Sequence, residues 1–208
     1  MDERDFIMQV TLEKDATGVL GIPYGEEDTP KRRFWNLKDS PSLIDKIPEV
    51  STYPELKAFL LEVASPDSRF CTFGCEKWEK EVDYGNGLTH EAGLYVDFAF
   101  DYREIASNKD NYFLFVDSVK DHGKVLSEND KYSNLGLIKF EPKRAGLIYE
   151  DFPFWILTAW IYGAGNSIEM AKKFRTYGLK QLFKCMEQES IKINDSDTSS
   201  LTKLLQNI

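Results

Sequence analysis

Cys75, His90 and Asp97 come nearest to a nucleophile, a base and an orienting acid, the set that covalent hydrolysis requires. If 70–82 and 92–102 pair as a hairpin, Cys75 comes beside the Asp97–Ala99 region, while His90 stays nearer the turn. The pairing that joins two members of the trio therefore separates the third. The alternative for Cys71 and Cys75 is the usual one for free cysteines, small buried apolar side chains. A zinc site would draw on Cys71, Cys75 and His90, but structural zinc takes four ligands and no fourth is evident. No metal is expected.

The acids carry a second chemistry. Asp97 and Asp101 share one face of a strand, about 13 Å apart at ~3.3 Å per residue. Paired carboxylates of a glycosidase lie within about 9.5 Å, so a further acid such as Asp117 would have to close the gap. A solvated sheet face is one alternative. A recognition surface is the other, because aspartate is depleted in strands and its repetition beside Tyr95 asks for a reason. Tyrosine supplies rigid contact area for a protein partner. The expected partner-binding residues are Tyr95, Asp97 and Asp101.

Glycine-rich stretches give no phosphate loop. Gly85 to Gly87 reads as a turn. Gly163 to Gly165 precedes a helix N-terminus without a full dinucleotide-binding pattern, and more simply lets two helices turn closely. No cofactor is expected.

The formal net charge of −9 over 208 residues repels phosphate backbones and anionic membrane surfaces, so neither nucleic acid nor a membrane is an expected partner. Such acidity keeps a protein soluble, and it also speeds encounter with a basic partner. Three cysteines are too few and odd in number for a disulfide framework, which points to reduced thiols and a cytoplasmic location. Met1 to Phe6 is charged and has no apolar core of a secretory signal. Phe152 to Ala164 is the most apolar stretch, and at about 13 residues it falls short of the ~20 of a membrane span.

The elements that must position these residues follow from periodicity. Phe6, Met8, Val10 and Leu12 alternate with polar residues and predict a strand. Lys14 to Gly18 reads as a turn returning into a partner strand over 19–22. From Pro23 to Pro48 no period holds, which predicts a long loop pinned by Phe34, Trp35 and Leu37. Thr52 to Glu55 spells a capping box, and Leu56, Phe59, Leu60 and Val63 give the helix behind it one apolar stripe, ending at Ser65-Pro66. Phe70 to Val82 reads as a strand. Ala92 to Tyr102 reads as another, with Leu94, Val96, Phe98 and Phe100 on one face and Tyr95, Asp97, Ala99 and Asp101 on the other. Asn111 to Val119 reads as a central strand, and 135–140 and 145–149 as two more parted by a Glu-Pro-Lys-Arg turn.

The remainder reads as helical. Asp151 caps a helix over 152–162, and Asn166 to Glu169 resembles a second capping box opening a helix to about 189. There Ile168, Ala171, Phe174, Leu182 and Met186 line one side and Lys172, Lys173 and Arg175 the other. Residues from about 190 form a polar tail with a short helix through Leu201, Leu204 and Leu205. Strands followed by helices predict one α+β domain over 1–208, with a largely antiparallel sheet of about five to seven strands, helices on one side and a C-terminal helical segment.

Two functions from different classes follow. One is a non-enzymatic protein-binding module with a basic partner, for instance a bacterial immunity protein that neutralises a cognate toxin through an acidic aromatic surface. The other is a small hydrolase that depends on Cys75 or on paired carboxylates, with His90 as base.

Overall fold

The structure, a computed structural model, describes residues 9–13, 19–22, 35–84, 87–125, 136–147 and 152–192. Its strands are β1 (Gln9–Leu12), β2 (Val19–Ile22), β3 (Phe70–Glu81), β4 (His90–Phe100), β5 (Gly136–Leu147) and β6 (Pro153–Gly165). Its α-helices are α1 (Pro54–Val63), α2 (Arg103–Ser107), α3 (Lys109–Val125) and α4 (Ile168–Lys192). The strands form one six-stranded sheet in the order β1-β5-β6-β4-β3, with β2 also paired to β5. The β3–β4, β4–β6 and β5–β6 pairs are antiparallel, and β1 and β2 run parallel to β5. The expected α+β class with a mostly antiparallel sheet is what the chain adopts.

The β3–β4 hairpin forms where period two is clearest. Its turn contains Gly87 at φ 75, a left-handed conformation that glycine adopts without a Cβ penalty. In α1 the stripe Leu56, Phe59, Leu60 and Val63 is buried as expected. The capping box is not formed. Thr52 ends a 3-10 helix, and Tyr53 takes the cap position without a side-chain hydrogen bond.

Five expectations are corrected. Asn111 to Val119 is helical, because Tyr112, Phe115, Val116 and Val119 recur at helix spacing and all four are buried. Of the helix expected over 152–162, Pro153 to Tyr162 lies in the strand β6. It pairs along both edges, with β4 and β5, and its side chains over 156–159 are buried on both faces, which removes the alternation there. The supposed turn at Pro142 is the middle of β5. Among the described residues no strand pairs with its far flank over 141–143, between the stretches matched by β1 and β2, and a residue without an N–H costs a ladder least where it has no partner. For the same reason β2 is not the partner of β1: the two follow one another along β5. The cap of α4 is Ser167 rather than Asn166, with Ser167 Oγ accepting from the N–H of Met170 at 3.3 Å.

Phe34, Asp151, the 14–18 turn, the tail from 193 and its short helix lie outside the described residues. Of the loop over 23–48, the described part carries Leu37 and Ile44 into the core and coils into two 3-10 helices, Pro41–Lys46 and Pro48–Thr52.

The core lies on the face of the sheet that carries Leu94, Val96, Phe98 and Phe100. Phe115 of α3 packs there against Phe98 and Phe140, at ring centroids of 5.7 and 6.2 Å. The Tyr112 hydroxyl donates to the carbonyl of Trp155 at 2.5 Å and accepts from the N–H of Phe100 at 3.4 Å, which ties α3 to two strands. Helix α4 crosses β6 so closely that a Cβ on Gly163 would stand 2.1 Å from the carbonyl oxygen of Ala171. The glycines expected between two helices thus seat a helix on a strand. Arg175, expected on a solvated side of α4, is 3% exposed and lies over the Tyr53 ring at 4.3 Å. No helix among the described residues is long and apolar enough to cross a membrane.

Candidate functional site

The opposite face of the sheet has two halves. At one end Asp97 pairs across β4–β6 with Thr158, whose hydroxyl donates to its carboxylate at 2.5 Å. Phe73 packs on Phe154 there, at 5.7 Å. Just beyond β4, Asp101 accepts the Lys38 ammonium at 2.8 Å, and Lys38 also donates to the carbonyl of Ser68 at 2.6 Å. Asp97 and Asp101 are 5% and 7% exposed. The acidic face expected to be open is therefore closed at both aspartates. A buried carboxylate needs a partner for its charge or its lone pairs: Asp101 has the Lys38 ammonium, and Asp97 has the Thr158 hydroxyl.

Toward the hairpin turn the face opens. Tyr95 pairs with Trp160, and Trp78 pairs with Gly93, which in turn faces Tyr162. The rings pack edge to face or tilted: Trp78–Trp160 at 6.1 Å, Trp78–Tyr162 at 5.7 Å and Tyr95–Trp160 at 5.1 Å. All four rings are half-buried. Among the described residues α3 and α4 pack on the other face, so this cluster presents its free side outward.

Carboxylates underneath fix the indoles. Glu91 accepts from Trp78 Nε1 at 2.9 Å, from the Tyr84 hydroxyl and from Lys80 at 3.0 Å. Burial opposes its charge, but those donors outweigh it and hold the Glu91 carboxyl below the ordinary glutamate range. Glu141 accepts from Trp160 Nε1 at 3.0 Å. Tyr84 is 51% exposed at the rim. Burial, then the Asp97 and Glu76 charges, push the Tyr95 phenol to about 12, so it stays a neutral donor.

The catalytic set does not assemble. Cys75 faces Val96 and His90 faces Glu81, six residues apart along β3, or about 20 Å at ~3.3 Å per residue. Burial, then the Glu49 charge, push the Cys75 thiol to about 12, so its thiolate, the reactive form, is scarce near neutral pH. Asp117 sits on α3, paired to Lys120 at 3.0 Å, and does not approach Asp97. No cluster of three metal-ligating side chains occurs among the described residues.

Of the predicted binding residues, Tyr95 joins the open face, while Asp97 and Asp101 lie in the closed half. Sequence reasoning missed Trp78, Trp160, Tyr162, Glu91 and Glu141. A signal for two of them lay in Trp160 and Tyr162, spaced two apart around Ile161.

The chain matches no family model, and neither a curated protein nor a solved structure is significantly similar to it. What defines it is an α+β sheet with one face roofed by helices and a half-open aromatic cluster on the other.

Proposed function

We infer that this is a non-enzymatic protein-binding module that docks a basic partner protein on the cluster of Tyr95, Trp78, Trp160 and Tyr162. The observation that carries this reading is the pinning of both indoles by carboxylates beneath them. Aromatic residues anchor interfaces because they bring large contact area at little cost in side-chain freedom. Rings already locked in place lose less entropy on binding.

Asp97 and Asp101 belong to the reading as supports, setting the β4–β6 register and the end of β4 on which Tyr95 depends. The net charge of −9 favours a partner of opposite sign and predicts capture that weakens with salt. An immunity protein that neutralises a cognate toxin in the cytoplasm is the specific form that suits these features. The test compares partner capture by the wild type and by variants of the open face.

A further inference from the structure

We propose that the corner formed by Trp160, Glu141 and Tyr95 receives one guanidinium group, presented by an arginine of the partner protein, and that Lys143 occupies this corner in the free protein as its stand-in. This rests on the reading of the aromatic face as partner-binding and adds the chemistry of the group it takes.

Among the described residues, Lys80, Lys139 and Lys143 contact acids beside the open half of this face. Lys80 is held by Glu91 at 3.0 Å and Lys139 by Glu13 at 3.4 Å. Lys143 makes the longest of the three ion-pair contacts, although its side chain is the least exposed. Its Nζ lies 3.9 Å from Glu141 Oε2, beyond hydrogen-bond reach, and 5.5 Å from the Trp160 ring centroid. Cation–π attraction extends to about 6 Å, so both contacts sit near their limits.

The reason is geometric. Trp160 turns its N–H to Glu141, which leaves the π face of the ring for a cation. An ammonium is a point charge and serves either the ring or the carboxylate well. A guanidinium is planar, with five donors, and stacks on a ring while bonding a carboxylate in its own plane. Tyr95, 5.1 Å from Trp160 and tilted 52° to it, forms a second wall of the corner.

The test follows the indole N–H resonance of Trp160 in nitrogen-15-labelled protein. The probes are N-acetylargininamide and its citrulline counterpart, which keeps the shape and lacks the charge. The arginine probe should move the Trp160 signal saturably, and the citrulline probe should not. Lys143→Met keeps the stem but removes the stand-in, and should lower the half-saturating concentration about fivefold. Lys139→Met removes the same charge from the same strand and should change it by less than about twofold. Glu141→Gln keeps an acceptor for Trp160, reports folding through an unmoved starting spectrum elsewhere, and should abolish saturation.

Equal shifts from the two probes, or equal effects of the two lysine variants, would overturn the proposal. If that happens while partner capture still depends on the aromatic rings, the guanidinium corner falls and the recognition face stands. If capture is also indifferent to the rings, both fall.

Discussion

Trp78 covers the backbone of Gly93, its directly opposite residue on the neighbouring strand: a Cβ on Gly93 would fall 2.0 Å from Cε2 of the indole. The ring is not free to move aside. Its N–H is bonded to Glu91 at 2.9 Å, and Trp160 and Tyr162 flank it. A glycine in a strand interior is ordinarily a weakness. Here the indole fills the place of the missing side chain and is held there as part of the open face.

Gly93→Ala should therefore break the cluster rather than merely crowd it. We expect a loss of about 1–3 kcal/mol in urea unfolding, with a shift of tryptophan emission in the folded protein. Ala92→Gly, on the helix-covered face, serves as the comparison, because it should destabilise without moving the emission. An unchanged emission in Gly93→Ala would contradict the seating of Trp78.

Glu91 gives the face a pH signature. Its folded carboxyl is held below the ordinary value, so the folded state binds its proton less readily than the unfolded chain does. The stability it contributes is complete above the unfolded value of about 4.3 and disappears as pH falls through the lower folded value. In unfolding free energy measured from pH 7 to pH 3, the gap between wild type and Glu91→Gln should hold down to about pH 5 and then narrow. A gap that widens on acidification would reverse the sign of the argument.

The same physics explains what could be read from the residues alone. Strand β4 announces itself through the alternation of Leu94, Val96, Phe98 and Phe100 with Tyr95, Asp97 and Ala99, and helix α1 through an apolar stripe at period 3.6 that it buries. Helix α3 hides behind its composition: Tyr112, Phe113, Phe115 and Val116 suit strands, and Leu114, 69% exposed, blurs the apolar stripe. Strand β6 hides because its apolar residues lie on both faces, buried on both over 156–159 and half-open on one at Trp160 and Tyr162, although its aromatic and branched residues fit a strand. The open face is legible only at Tyr95. Trp78, Gly93 and Tyr162 meet through pairing register, in which Gly93 and its partner Tyr162 lie 69 positions apart in the chain, and this leaves no local mark.

The Lys38–Asp101 pair anchors the segment before α1 to the end of β4. With side chains 10% and 9% exposed, neither charge is free to rehydrate. Lys38→Met should cost on the order of 3 kcal/mol by leaving Asp101 buried without its cation. Adding Asp101→Asn should recover much of that loss. A double-mutant cycle by urea denaturation measures the coupling, and strictly additive losses would show that the pair does not act as a unit.

The most direct test of the recognition face is quantitative capture from the native cell. Tagged wild type, Tyr95→Ser with Trp160→Leu, and Leu114→Ser on the outer side of α3 are compared, each shown to fold by circular dichroism. The account predicts one basic protein at near-equal stoichiometry with the wild type and with Leu114→Ser. Its recovery should fall at least about tenfold with the double variant, and in all three cases should weaken as salt rises. Equal recovery of the same proteins by all three would contradict it.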